Sequence, residues 1–291
     1  MAEKKFDEGP LAESFEQSRP HLRAVAYRML GSLSEADDAI QETWLKLART
    51  DASAVDNLRG WLTTVVARVC LDILRSRKAH PEDAVGTAPD VTPAPERNAE
   101  QEAVLADSVG LALLVVLEAL EPAERLAFVL HDLFGVSFED IAPVVGRTPI
   151  AARQLASRAR RRVRGAPERD DAELGAQRDA VNALLRALRA GDVEAFVAAL
   201  DPNVVVHFTS PDGTPREIHG ARTWATTAMG FSRAVQGVQT ALVDGAVGAI
   251  FAPRGRLRRA LRFTFDSGRI VDVEIITDST RVRALEIALL E

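Results

Sequence analysis

The sequence predicts a multidomain chain, an all-α half that ends in a helix-turn-helix followed by an α+β domain. Three observations predict it. Apolar residues recur at helical spacing over residues 6–78 and again over 97–164. Residues 137–164 read as two short helices joined by Gly146-Arg147-Thr148, the second with a dense row of arginines. After residue 176 the periodicity changes again, to a helix or two and then short alternating runs bounded by turn residues, the signal of strands.

In the first helical block, Ser34-Glu35-Ala36-Asp37 has capping-box spacing and predicts a helix on which Ile40, Thr43, Trp44 and Leu47 share a face. Glu35, Asp38 and Glu42, at spacings of three and four, form an acidic edge. Early carboxylates complement the helix dipole, and an acidic edge also suits a basic partner, so spacing alone leaves both readings open. Over residues 57–78, Trp61, Leu62, Val65, Val66, Val69, Ile73 and Leu74 supply a wide apolar face, with Arg59, Arg68, Arg75, Arg77 and Lys78 around it. Such a helix, with the loop 53–57, could hold a nucleic-acid strand by stacking and phosphate contacts; for Trp61 a place in the core is the favoured alternative. Cys70 falls in the apolar pattern and is expected to be buried. A lone cysteine excludes an intramolecular disulfide framework and a cysteine metal cluster.

Residues 79–96 hold Pro81, Pro89, Pro93 and Pro95 among Glu82, Asp83, Asp90 and Glu96, with no aromatic residue, which predicts a linker. In the helix-turn-helix, Ser137 and Asp140 have capping-box spacing, and Phe138, Ile141 and Val144 make one helix side apolar. Pro143 removes an amide donor, so this helix should be short or kinked. Thr148 is placed to cap the second helix, with Pro149 at its first position. Ala151, Leu155, Ala159 and Val163 are the expected buried stripe. The other faces carry Arg153, Gln154, Ser157, Arg158, Arg160, Arg161, Arg162 and Arg164, and no acidic residue interrupts the stretch from Arg147 to Arg164. This is the pattern of a recognition helix that enters a major groove, where an arginine fork bonds guanine edges or phosphates. A solvated arginine-rich helix of a bundle is the alternative. The chain as a whole carries a net charge of −6, so nucleic-acid binding must come from local patches.

Residues 178–200 predict helix, broken at Gly191-Asp192. Then come a strand over 201–208, a turn-rich stretch over 210–220, a helix over 221–235, four further strands and a final helix. His207 alternates with apolar residues, with Asp201, Asp212, His219 and Asp244 near it in sequence; no pair among them must converge, and a structural role for His207 is favoured. Arg254, Arg256, Arg258, Arg259 and Arg262 crowd one hairpin and predict either a solvated edge or a docking surface for an acidic segment. No apolar run is long enough to cross a membrane and no signal peptide is visible, which predicts a soluble cytoplasmic protein.

Residues 15–164 resemble an extracytoplasmic-function sigma factor of the sigma-70 family, through FEQSRPHLRAVAYRMLGSLSEADDAIQETWLKL, LRGWLTTVVARVCLDILRSR and SFEDIAPVVGRTPIAARQLASRARRRV in that order. The strand order after residue 177 resembles a SnoaL-like domain, a curved sheet wrapped by helices into a cone, which one class of these factors carries at its C-terminus. The resemblance implies sigma domain two over 6–78, a linker over 79–100, sigma domain four over 101–165, a linker over 166–176 and a SnoaL-like regulatory domain over 177–291. It implies docking of Glu35, Asp38, Gln41 and Glu42 on the clamp helices of core RNA polymerase. It implies reading of the −10 element by the 53–57 loop, Asn57 and Arg59, with Arg68 and Arg75 toward the DNA backbone. For the −35 element it implies Arg147, Arg153, Gln154, Ser157 and Arg158, with Arg161 and Arg162 on phosphates. Asp212-Gly213-Thr214-Pro215-Arg216 and Thr277-Asp278-Ser279-Thr280-Arg281-Val282 are loose counterparts of two motifs of that class, while its tryptophan-leucine-proline linker motif is absent. Asp212, Gly213, Arg258, Arg259 and Asp278 are therefore the expected regulatory residues. The implied partners are core RNA polymerase, promoter DNA and an anti-sigma factor. The chain is expected to be monomeric when free, with no catalytic residue, metal or cofactor and no membrane.

Overall fold

The protein is described by a computed structural model, covering residues 8–50, 55, 57–79, 110–165, 171–210, 213–230 and 234–290. By internal contacts the chain divides into two units, residues 1–104 with 120–160 and residues 105–119 with 161–291. The expected linker 79–100 lies, from residue 80 on, outside the described residues.

The first unit is helical. Helices α1 (Glu8–Leu30), α2 (Leu33–Leu47) and α3 (Leu58–Ala79) pack on one another around Phe15, Leu22, Tyr27, Ile40, Leu62 and Leu71, none more than 1% exposed. Gly31 in the left-handed region (φ 75°) turns the chain between α1 and α2. Helix α2 starts before the expected Ser34 cap: Leu33 is drawn into the core, and the Ala36 amide bonds the Ser32 carbonyl at 3.0 Å, so Ser34 lies in the first turn. Trp61 is only half-buried, as are Val65, Ile73 and Leu74, because the buried arc of α3 centres on Leu62, Val66, Val69 and Cys70. Burial pushes the Cys70 thiol up to about 12, so it is a neutral core residue.

Helix α5 (Pro122–Phe128) runs into a π-helical turn, Val129–Leu133, and then to the helix-turn-helix, α6 (Phe138–Val145) and α7 (Pro149–Arg164). The capping signals in the sequence are met. The Ser137 hydroxyl accepts the Asp140 amide at 3.1 Å, Thr148 Oγ1 accepts the Ala151 amide at 3.2 Å, and α6, with Pro143 inside it, has only eight residues. Gly146 (φ 69°) is the left-handed cap, and the Arg147 amide reaches back to the Ala142 carbonyl at 2.9 Å in a Schellman closure. The buried stripe of α7 is Ala152, Ala156, Ala159 and Val163, with Ala151 and Leu155 at its edge. A strict spacing of four drifts about 40° per step on a 3.6-residue helix, whereas the alternating spacing of four and three keeps one face inward.

The second unit is α+β. Its seven-stranded sheet has the order β2-β1-β6-β5-β4-β3-β7, with only β1 and β6 parallel. The strands are β1 (Leu200–Thr209), β2 (Pro215–His219), β3 (Val238–Val243), β4 (Ala246–Phe251), β5 (Arg259–Asp266), β6 (Arg269–Ile276) and β7 (Ile287–Ala288). The turns Asp244-Gly245 and Ser267-Gly268 each place two residues at positive φ, as two-residue hairpin loops require. One face packs on α8 (Asp171–Ala190), α9 (Val193–Ala198) and α10 (Ala221–Met229), through Leu184, Phe196, Val206, Trp224, Ala249 and Val273. Alternate residues, Ala241, Val243, Ile250, Ala252 and Ala260, form a second apolar cluster with Ala112 and Val115 of α4 (Leu111–Glu118).

Five local expectations change here. Helix α8 begins at Asp171, inside the expected linker 166–176, of which residues 166–170 lie outside the described residues. The turn-rich stretch holds β2, recruited as a partner along β1. Helix α10 stops at Met229, followed by Gly230, and β7 follows the final helix α11 (Ser279–Ala284). Packing also groups α4 with the sheet rather than with the other helices of the expected domain four.

Candidate nucleic-acid and polymerase interface

The exposed side of α7 holds Ile150, Arg153, Gln154, Ser157, Arg158, Arg161 and Arg162, with Arg147 in the turn before it. Their surroundings differ. The Arg153 guanidinium lies over the Phe138 ring at 5.3 Å, and Arg158 is bonded at 2.6 Å to Glu124, a carboxylate only 8% exposed. Arg160 pairs with Asp132 at 2.8 Å. Arg147, Gln154 and Ser157 extend into solvent.

The expected −10 readers sit at and beyond the start of α3. Asn57 Oδ1 accepts the Gly60 amide at 2.9 Å, so Asn57 caps the helix, while residues 51–54 and 56 of the adjoining loop lie outside the described residues. Arg59 donates to His21 Nδ1 at 3.3 Å, which leaves His21 Nε2 to donate to the Thr63 hydroxyl at 3.1 Å. Burial, then the Arg59 charge, lowers the pKa of His21 below its ordinary value. Arg68 donates to the Pro143 carbonyl of α6 at 3.3 Å, and Arg75 lies 3.9 Å from Asp72. Two further contacts join this helical block to α5 and the π-helical turn. Arg125, 4% exposed, donates to the Arg28 carbonyl at 3.2 and 3.0 Å; Phe134 meets the edge of His21 at 5.3 Å and lies 5.2 Å from the Arg28 guanidinium. Arg125 and Phe134 were not legible as interface residues, since each reads as an ordinary helical position.

On α2, Asp38, Gln41 and Glu42 are exposed, Glu42 pairing with Lys46 one turn on at 3.1 Å. Glu35 is set apart from them, half-buried and ion-paired with Arg77 of α3.

In the sheet unit, Asp212 lies outside the described residues; Gly213 (φ 82°) donates to the Ser210 carbonyl at 2.9 Å. Asp278 caps α11, accepting the Thr280 and Arg281 amides at 3.1 and 2.8 Å. Arg258 and Arg259 are exposed and make no ion pair among the described residues, while Arg262 is shared between Asp244 (3.6 Å) and Glu274 (3.7 Å) and Arg256 approaches Glu118 at 3.8 Å. His207 stands between Asp272 (2.8 Å) and Glu217 (3.2 Å), and His219 also meets Glu217 at 3.2 Å. The row comes from β1, β2 and β6, so no local spacing announces it. It lies at the surface, and the cleft of about 530 Å³ near Val197, Leu200, Arg222 and Arg269 is lined by no carboxylate or imidazole.

The Sigma-70 region 2 family model matches residues 15–80, and the Sigma-70, region 4 model matches residues 110–163. The ECF RNA polymerase sigma factor SigJ of Mycobacterium tuberculosis is 40% identical over 212 residues, which are 72% of this chain and 68% of that protein. The probable ECF RNA polymerase sigma factor SigI of the same organism is 34% identical over 198 residues, 67% of this chain and 68% of its own. The crystal structure of SigJ covers 94% of this chain and 98% of its own at 31% identity, with a TM-score of 0.46.

Proposed function

The chain belongs to the extracytoplasmic-function family of RNA polymerase sigma factors, non-enzymatic factors of transcription initiation, and we propose that its sheet domain modulates promoter recognition in cis. In this reading α2 docks on core RNA polymerase through Asp38, Gln41 and Glu42, α7 reads the −35 element and the start of α3 reads the −10 element. Glu35 serves the α2–α3 junction instead, because its carboxylate is held by Arg77.

The observation that supports the regulatory part is the Arg68–Pro143 contact, which joins α3 to α6, the first helix of the helix-turn-helix. Elements named for positions −10 and −35 are 25 base pairs apart, roughly 85 Å at about 3.4 Å each. Helices α3 and α6 cannot touch and serve both elements together, so this packing must open on promoter DNA. The sheet domain has a grip on both ends of the 110–163 segment: α4 lies in its second apolar cluster, and the Leu289 amide donates to the Val163 carbonyl at the end of α7 at 2.8 Å. Arg258 and Arg259 complete the reading as a surface for an acidic segment.

The test uses the full chain with core polymerase. Asp38→Lys with Glu42→Lys is expected to abolish core binding while the fold, judged by melting, stays intact; binding at the wild-type level would remove α2 as the docking helix. Arg258→Glu with Arg259→Glu is expected to change promoter-directed transcription at unchanged core affinity. Identical transcription at equal protein levels would remove the arginine pair from the regulatory reading.

A further inference from the structure

Ile150, the second residue of α7, is 71% exposed, the most exposed of the large apolar side chains among the described residues. At about 100° per residue it stands nearly opposite the buried Ala152, Ala156, Ala159 and Val163. Its neighbours on that outer face are Gln154 and Ser157, both exposed and polar. An isoleucine there adds nothing to the core. It is not part of the cap either: Thr148 supplies the capping oxygen, Pro149 holds the first position, and a hydrophobic staple would use Arg147 and Ala152. A β-branched residue is also a poor choice on helix propensity alone. The apolar surface left in water on an otherwise polar face points to a partner with an apolar group.

In a helix-turn-helix the first residues of the second helix meet the base edges in the major groove. The apolar group displayed there is the 5-methyl of thymine. We propose that Ile150 is a specificity-determining residue that packs on the methyl group of one thymine in the duplex read by α7. Arg147 and Gln154, on either side of it in sequence, are polar and exposed, suited to hydrogen bonds with flanking bases or phosphates. The proposal rests on α7 reading promoter duplex in the holoenzyme.

The test starts with holoenzyme, assembled from the full chain and core polymerase, retaining duplexes from a pool randomised across the −35 region. Each thymine of the retained sequence is then replaced by deoxyuridine, which deletes one methyl group and nothing else. One replacement is expected to weaken wild-type binding about fourfold, the effect of one buried methyl group. Holoenzyme with Ile150→Ala should bind the thymine duplex more weakly by a similar factor and be indifferent to uracil at that position, with Ile150→Val in between. Equal sensitivity to uracil in wild type and Ile150→Ala, or a retained sequence without thymine, would overturn the assignment to Ile150 and leave the sigma reading standing. A holoenzyme that forms yet retains no duplex would overturn both. Loss of core binding in Ile150→Ala would place the residue at a protein interface and overturn the proposal; equal melting temperatures of variant and wild type exclude a folding defect.

Discussion

Helices α3 and α7 are both basic and amphipathic, but their charges are used differently. On α3, Arg59 is turned to His21, Arg68 to the Pro143 carbonyl, Arg77 to Glu35 and Lys78 to Glu121. On α7 the deepest commitments lie on the flank, where Arg158 meets Glu124 and Arg160 meets Asp132, and the centre of the outer face, Ile150, Gln154 and Ser157, stays open. The comparison teaches that positive charge marks a helix as a candidate reader but does not say whether it is ready to read. Helix α3 is occupied by the protein's own groups, while α7 presents its outer face. Exposed pairs of this kind contribute little stability each, so they suit a contact that DNA can displace.

The substitution with the largest expected effect is Arg125→Ala. It takes the guanidinium partner from the half-buried Arg28 and opens a cavity where the buried Arg125 side chain stood, at a cost of about 3 kcal/mol. The denaturant midpoint should fall by that measure, and amide exchange in α3 and α6 should accelerate together. Unchanged exchange in α3 would show that something other than this anchor holds it, and would break the comparison at its root.

Arg158→Ala is the sharper probe of α7. The arginine is half exposed but its Glu124 partner is not, so removing it takes a charged partner from a buried carboxylate, at a cost of about 1–2 kcal/mol once solvent screening of the arginine is allowed for. Adding Glu124→Gln should restore most of that stability. If Arg158→Ala instead lowered promoter affinity tenfold at wild-type stability, Arg158 would belong with the open readers.

The smallest effect concerns His21. Its folded-state pKa lies below the ordinary 6.5, so between the two values the unfolded chain binds more protons than the folded one. Stability present above about pH 6.5 is therefore lost as the pH falls through that window, by less than about 1.4 kcal/mol per pH unit. Protonation would also set a positive ring against Arg59 and close to Phe134. Denaturant midpoints from pH 7.5 to 5.5 should show this loss in wild type and a smaller one in His21→Gln. Parallel profiles would acquit His21.

Much of the architecture was legible in residues close together in the chain. Ser137, Gly146, Thr148 and Pro149 announced the helix-turn-helix because capping and left-handed turns are settled within a few residues. Strands β1 and β3 to β6 were legible for the same reason. Strand β2 was not, since its polar, exposed sequence becomes a strand only through pairing with β1.

The sequence by itself determined the all-α half, the helix-turn-helix, the sheet domain and the family, because periodicity, caps and motif order are carried by neighbouring residues. Only the tertiary structure decided which charges are free. It tied Arg77 to Glu35 across 42 residues, Arg68 to Pro143 across 75 and Ala112 to Gln239 across 127. Contacts at such separations leave no trace in local spacing: they depend on which helix faces meet, and that is settled by burial of apolar surface across the whole fold.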